Sequence, residues 1–289
     1  MQQTNKNQYG ATVEIDIRKY FNTIPHAALD EILKKKITDK RFLALLRALI
    51  KAPTMQGDVV IANDLGCPLG SMLSPILANV YLHYVIDEWF AGTVQEHMQG
   101  RATIVRYADD MIFAFEYQSD AEKFYNVLPK RFMKYGLTLN MEKSQMIQSG
   151  SRAAAEADQQ GARLPTYQFL GFTCYWGKAR RGFWRLKYTS RADRFTAKLK
   201  GLRDYLWSHR NVEAQDVMKQ VIRVVKGWIN YHAISDNNRR VKAFTLVAKR
   251  LMFKWFNYRG GRRRMNWEKF TKMLQYEGYP EKWSFHSMF

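Results

Sequence analysis

Two adjacent carboxylates, Asp109 and Asp110, stand at the centre of an apolar run, with Thr103-Ile104-Val105-Arg106 before them and Met111-Ile112-Phe113-Ala114-Phe115 after. Carboxylates on consecutive residues repel, and each raises the other's pKa unless a cation lies between them. A hard divalent ion such as Mg2+ meets that need, because it takes oxygen ligands and keeps positions open for water and phosphate. A third carboxylate, Asp16, ends another apolar segment, Ala11-Thr12-Val13-Glu14-Ile15. If the two segments are neighbours in one sheet, the three acids can hold two ions about 3.5 to 4 Å apart, a pair able to activate an attacking hydroxyl and stabilise the leaving oxygen of a phosphoryl displacement. On these residues alone a solvated turn accounts for Asp109-Asp110 equally well, and a strand-end turn accounts for Asp16 better.

The elements that must position these acids follow from periodicity. The flanks of Asp109-Asp110 favour two short strands joined by a tight turn, since Ile, Val and Phe suit a pleated surface and Asp tolerates turn geometry. Residues 11–17 alternate as a half-buried strand does, and Pro25 suits the first turn of a helix through Leu29, Ile32, Leu33, Leu43, Leu45 and Leu46, broken near Thr38-Asp39. Residues 53–70, punctuated by Gly and Pro, hold a hairpin. Ser74-Pro75 opens a helix, with Ser as N-cap and Pro in the first helical position, whose apolar stripe is Ile76, Leu77, Val80, Tyr81, Tyr84 and Val85. A helix over residues 120–134, a turn at Gly136, strands near 137–139 and 144–147, and an exposed loop over 149–165 come next. Strands resume over 167–176 and 182–188. From about Ser190 the chain carries three helical stripes, Phe195, Leu199, Leu202 and Leu206, then Val217, Val221, Val224 and Trp228, then Val241, Phe244, Val247, Leu251 and Trp255, and they should pack as a bundle.

The chain has 289 residues, 46% of them hydrophobic, enough for one large domain or two ordinary ones. Cys67 and Cys174 lie far apart with no Cys-x-x-Cys spacing, so neither a disulfide framework nor a zinc site is indicated, and a reducing, cytoplasmic setting is expected. No apolar run approaches the roughly 20 residues of a membrane helix, and the polar start is no signal peptide, so no membrane partner is expected. The net charge of +20 is unevenly spread: residues 1–150 carry 17 Lys+Arg against 16 Asp+Glu, and residues 151–289 carry 29 against 10. A field of that sign favours nucleic-acid backbones over an acidic membrane, because the bases come interleaved with Trp, Tyr and Phe rather than as one polybasic helix. Lys198, Arg203, Arg223 and Lys226, on the polar sides of the predicted helices, and Arg262-Arg263-Arg264 after Gly260-Gly261, are the candidate nucleic-acid contacts. Core packing is the better reading of Trp228 and Trp255, and His209 and His232 lack partners at ligand spacing.

Five segments occur in a telling order: Val13-Glu14-Ile15-Asp16-Ile17-Arg18-Lys19-Tyr20-Phe21, Gly66-Cys67-Pro68-Leu69-Gly70 through Ser74-Pro75, Tyr107-Ala108-Asp109-Asp110, Gly136 through Lys143, and Phe169-Leu170-Gly171-Phe172. Together they resemble the palm motifs of reverse transcriptases, most of all the group II intron type. The resemblance implies an α+β fold: a right-hand polymerase palm, an antiparallel sheet with helices on one face, over residues 1–188 with remnant fingers, then a helical thumb or maturase domain over 189–289. It implies Asp16, Asp109 and Asp110 as catalytic ligands of two Mg2+ ions, with the Ile17 carbonyl completing one shell. Phe21 matches the aromatic gate beneath the incoming sugar, Pro68, Leu69 and Gly70 the segment against the nascent base pair, Lys143 a lysine near the nucleotide phosphates, and Phe169, Leu170 and Gly171 the primer grip. The implied partners are an RNA template, an RNA–DNA hybrid, a deoxynucleoside triphosphate and intron RNA.

Two departures from that pattern bear on activity. Only 15 residues precede Asp16, where the family has a fingers region with a basic triphosphate clamp, so a separate fingers-bearing polypeptide is an expected partner. Leu69 stands where the family has Gln. The expectation is an RNA-directed DNA polymerase of the group II intron type that also assists splicing. A non-catalytic maturase-like RNA-binding protein, or half of a split enzyme, is the alternative.

Overall fold

Alternation in the first apolar segment is realised as strand β1 (Ala11–Ile15), which buries Ala11, Val13 and Ile15 on one face and turns Glu14 to the other. A single turn, α1 (Tyr20–Thr23), leads to α2 (His26–Lys34) and α3 (Lys40–Lys51). The break between them is made by Asp39, whose side chain accepts from the Arg41 and Phe42 N–H groups and so caps α3. Strands β2 (Thr54–Gln56) and β3 (Val59–Ile61) form the expected hairpin. The computed structural model describes residues 9–56, 59–61, 63–67, 71–259 and 265–286.

Helix α4 (Ser74–Leu82) begins one residue earlier than its signature predicts: Leu73 is the cap, Ser74 is the first helical residue, and Pro75 still lies in the first turn. It continues through two π-helical stretches, His83–Asp87 and Phe90–Val94, to a 3-10 turn at Gln95–His97. Each π-turn adds a residue per turn and rotates the helix beyond it. The buried stripe is Leu77, Tyr81, Leu82, Val85, Ile86 and Phe90, while Ile76, predicted to be buried, is 60% exposed.

Strands β4 (Ala102–Tyr107) and β5 (Asp110–Phe115) come next, then helix α5 (Gln118–Lys134) and strand β6 (Gln145–Gln148). The sheet order is β4-β5-β1-β6, every neighbour antiparallel. Residues 137–139 make a single bridge, Ile17 to Leu139, rather than the predicted strand. The core lies between the sheet's Val13, Ile15, Met111, Phe113 and Phe115 and the helical Tyr81, Val85, Phe90, Phe124, Leu128 and Phe132. Phe124 is its centre, with ring centroids 4.5 Å from Phe113, 5.2 Å from Phe115 and 5.8 Å from Phe90. The predicted loop over 149–165 contains a helix instead, α6 (Ser151–Gln159). Ala153-Ala154-Ala155 favours helix, Ala154 is buried, and Arg152 pairs with Glu156 one turn on at 2.9 Å, so local propensity outweighs the polar composition.

Strands β7 (Tyr167–Phe169), β8 (Phe172–Lys178) and β9 (Trp184–Ser190) form a second sheet in that order. The chain divides into two compact units, Gln3–Leu170 with Trp176–Leu186, and Gly171–Tyr175 with Lys187–Phe289. The second unit is built on α7 (Ala192–Ser208), α8 (Ala214–His232) and α9 (Asn238–Arg259). A fourth helix, α10 (Trp267–Tyr276), was not predicted. At ten residues it is too short to be stable by itself, and it is held by the Asn266 cap and by Phe270, which packs 5.3 Å from Phe253 and 5.6 Å from Phe256. Trp228 and Trp255 are core residues, Trp228 stacking on Phe244 at 4.3 Å. Among the described residues no helix is long and apolar enough to cross a membrane.

Candidate active site

The register of the first sheet decides where the three acids lie. Strand β1 pairs with β5 so that Ile15 faces Met111; carried one residue further, this puts Asp16 opposite Asp110. Cross-strand partners share a face. Met111, Phe113 and Phe115 point into the helix-covered core, so Asp110 and Asp16 project together from the opposite face, at one end of the sheet. Asp109 occupies the two-residue turn between β4 and β5, after Ala108, whose φ of 54° is left-handed. All three acids are half-buried.

Each of the two sheet acids is held from outside its own strand. The Asn140 side-chain amide donates to Asp16 Oδ2 at 2.8 Å, while the Asn140 N–H donates to the Asp16 carbonyl at 2.9 Å. The Asp16 N–H donates to Ser144 Oγ at 3.1 Å. Asp110 Oδ2 accepts from the Leu170 N–H at 3.0 Å. That donor is exposed by the turn between β7 and β8, where Leu170 and Gly171 take φ values of 47° and 76°. The Asp16 carbonyl and the Arg18 N–H both bond towards residues 138–140. Alternating peptide groups along a strand point to opposite sides, so the Ile17 carbonyl faces the β5 side, where the acids stand. The donors at this sheet end are hard oxygens, a donor type that suits Mg2+ chemically. Among the described residues no three His, Cys, Asp or Glu side chains are drawn together into a preformed metal cage.

The other predicted site residues distribute unevenly. Phe21 is half-buried, its ring 5.4 Å from Tyr20, and its carbonyl accepts from the Cys67 N–H at 2.7 Å. This ties the segment after Asp16 to the start of the second motif. Gly66 makes that approach possible: at φ 80°, a Cβ there would lie 2.5 Å from the Phe21 carbonyl oxygen and 2.7 Å from Asn22 Cα. Its own carbonyl bonds the His26 ring at 2.6 Å. Pro68, Leu69 and Gly70 lie outside the described residues, as do Arg262, Arg263 and Arg264. Lys143 is exposed, on the turn after Asn140. Phe169 is buried and anchors the turn that presents Leu170. In the second unit Lys198, Arg203, Arg223 and Lys226 are all exposed.

Sequence reasoning left two groups without a role. Asn140 was part of a quoted motif, but nothing local marks it as the residue that orients Asp16. His232 is buried in a polar knot: its Nδ1 lies 3.1 Å from Ser190 Oγ, which accepts from the Asn237 amide at 2.6 Å. Burial pushes the imidazole pKa down to about 4.

Residues 1–174 match the family model for reverse transcriptase (RNA-dependent DNA polymerase). Over 84 residues the chain is 39% identical to the uncharacterized 91 kDa protein in cob intron of Schizosaccharomyces pombe, covering 29% of this chain and 10% of that protein. Over 83 residues it is 35% identical to the group II intron-encoded protein LtrA of Lactococcus lactis subsp. cremoris, covering 28% of this chain and 14% of that one. Among solved structures, apo telomerase from Candida tropicalis superposes with a TM-score of 0.48 at 12% identity, over 86% of this chain and 46% of that chain. The chain thus spans far less than the full length of the curated relatives it matches.

Proposed function

Because the chain belongs to the reverse transcriptase (RNA-dependent DNA polymerase) family, we propose that it catalyses, or supplies the palm and thumb for, nucleotidyl transfer to a DNA 3′ end on an RNA template, in the manner of group II intron-encoded enzymes. The observation that carries this reading is the β1–β5 register, Ile15 against Met111, which continued by one residue brings Asp16 opposite Asp110, beside the Asp109 turn. Asp16, Asp109 and Asp110, with the Ile17 carbonyl, would hold two Mg2+ ions, whose chemistry when bound is to neutralise phosphate charge and lower the pKa of the attacking hydroxyl.

The chain's own residues supply position. Asn140 and the Leu170 N–H fix the two sheet carboxylates against mutual repulsion, so little reorganisation remains when the triphosphate arrives. The Leu170-Gly171 turn presents backbone, rather than bulky side chain, to a primer end. The Phe21 ring is assigned to the gate beneath the incoming sugar, where it would exclude a 2′-hydroxyl and so select deoxynucleotides. Lys143 offers a point charge for phosphate. The exposed cations of the helical unit suit an A-form hybrid, which displays phosphates and 2′-hydroxyls across a wide shallow groove.

The test is primer extension on poly(rA)/oligo(dT) with purified full chain and Mg2+, alone and with a candidate fingers-bearing polypeptide, and with Asp109→Asn as control. Template-dependent synthesis abolished by Asp109→Asn is the expected result. Tight RNA binding and splicing assistance, both unchanged in Asp109→Asn and with no synthesis under either condition, would replace this reading with that of a non-catalytic maturase-like protein.

A further inference from the structure

The geometry points to Arg106 as a positioning residue for the turn that carries Asp109; its role in the reaction rests on the polymerase reading. Arg106 faces Met111 across the hairpin and so projects onto the helix-covered face, behind the carboxylates. Its guanidinium there is spent on two purposes at once. Nε and Nη2 grip Asp87 through both carboxylate oxygens, at 2.8 and 2.5 Å, and Nη1 donates to Asn79 Oδ1 at 2.9 Å and to the Ala108 carbonyl at 3.0 Å. Ala108 is the left-handed residue of the turn, a conformation costly for any residue bearing a Cβ. The guanidinium therefore holds, from α4 and its π-helical continuation, the peptide that leads directly into Asp109. The Arg106 side chain is 13% exposed and that of Asp87 26%, so solvent screens the pair less than it does a surface ion pair.

The anchors depend on the helix's irregularity. In a regular α-helix residues eight apart, such as Asn79 and Asp87, are about 80° out of line, whereas residues seven apart differ by about 20°. The π-turn at His83–Asp87 inserts one residue between them and brings both onto the face that meets Arg106. A planar fork is required to reach Asp87, Asn79 and the Ala108 carbonyl together, and a lysine ammonium cannot reproduce it.

Arg106→Lys, which keeps the charge, and Asp87→Asn are the variants, studied in the full chain by primer extension and by electron paramagnetic resonance titration with Mn2+ in the absence of nucleic acid. The expected result is about a tenfold or greater fall in kcat and a comparable rise in the Mn2+ half-saturation, with KM for primer–template and the melting temperature near wild type. The double variant should be no worse than the poorer single one, because both break one clamp. Mn2+ half-saturation and kcat within twofold of wild type in both variants would overturn the proposal. So would losses that merely track a lowered melting temperature and an equal loss of RNA binding. A wild-type chain that makes no DNA, alone or with a fingers-bearing polypeptide, yet loses Mn2+ affinity on Arg106→Lys, would sink the polymerase reading and leave the clamp standing.

Discussion

Asp109 and Asp110 announce themselves by adjacency in an apolar run, but the residue that makes Asp16 useful does not. Asn140 reaches it across 124 positions, and no local signal distinguishes that asparagine from any other turn residue. Asn140→Ala should lower extension about tenfold through a mispositioned ligand, with primer–template affinity unchanged; steady-state kinetics beside a binding titration would check this. Phe21→Ala should admit ribonucleotides that the wild type rejects, read by competing dNTP and rNTP incorporation. A gate that remains closed would reduce Phe21 to the core residue that its packing on Tyr20 also supports.

At the scale of elements, the strands and long helices were legible because burial imposes their periods on the sequence. Phe124 shows what that burial contributes: removing a ring that meets Phe90, Phe113 and Phe115 should cost about 3–5 kcal/mol in Phe124→Ala, measured by the shift of the urea midpoint. Gly66→Ala should also destabilise, since it combines a positive φ with a backbone collision at the Phe21 carbonyl. What periodicity concealed were elements stabilised by something else. Helix α6 rests on alanine propensity within a polar stretch, α10 on tertiary packing of a short segment, and the π-turns beyond α4 on contacts that a regular 3.6-residue template cannot represent.

For the whole molecule, the charge asymmetry predicts how nucleic-acid binding would depend on salt. Each phosphate neutralised by a cation contributes about 0.7 to 0.9 to the slope of log K against log salt, so replacing Lys198, Arg203, Arg223 and Lys226 with Gln should reduce that slope for RNA by about 3 if all four meet phosphate. Filter binding over a salt series measures it. The second unit also has a pH dependence of its own. His232 is held near a pKa of about 4 against an ordinary 6.5, so the unfolded chain takes up a proton that the folded chain refuses. Stability from this group is complete above about 6.5 and falls as pH drops towards 4. Thermal midpoints between pH 7 and 5 should decline less steeply in His232→Gln than in wild type.

The order of the motifs, the basic second half and the alternation of the strands were written in the residues themselves, because composition and period are local properties of a chain. The sharing of one face by Asp16 and Asp110, the hold of Asn140 and Arg106 on their neighbours, and the burial of His232 were decided only in three dimensions. Strand register and side-chain hydrogen bonding join positions that the linear sequence keeps far apart, and a slip of one residue would have sent the same carboxylates to opposite faces.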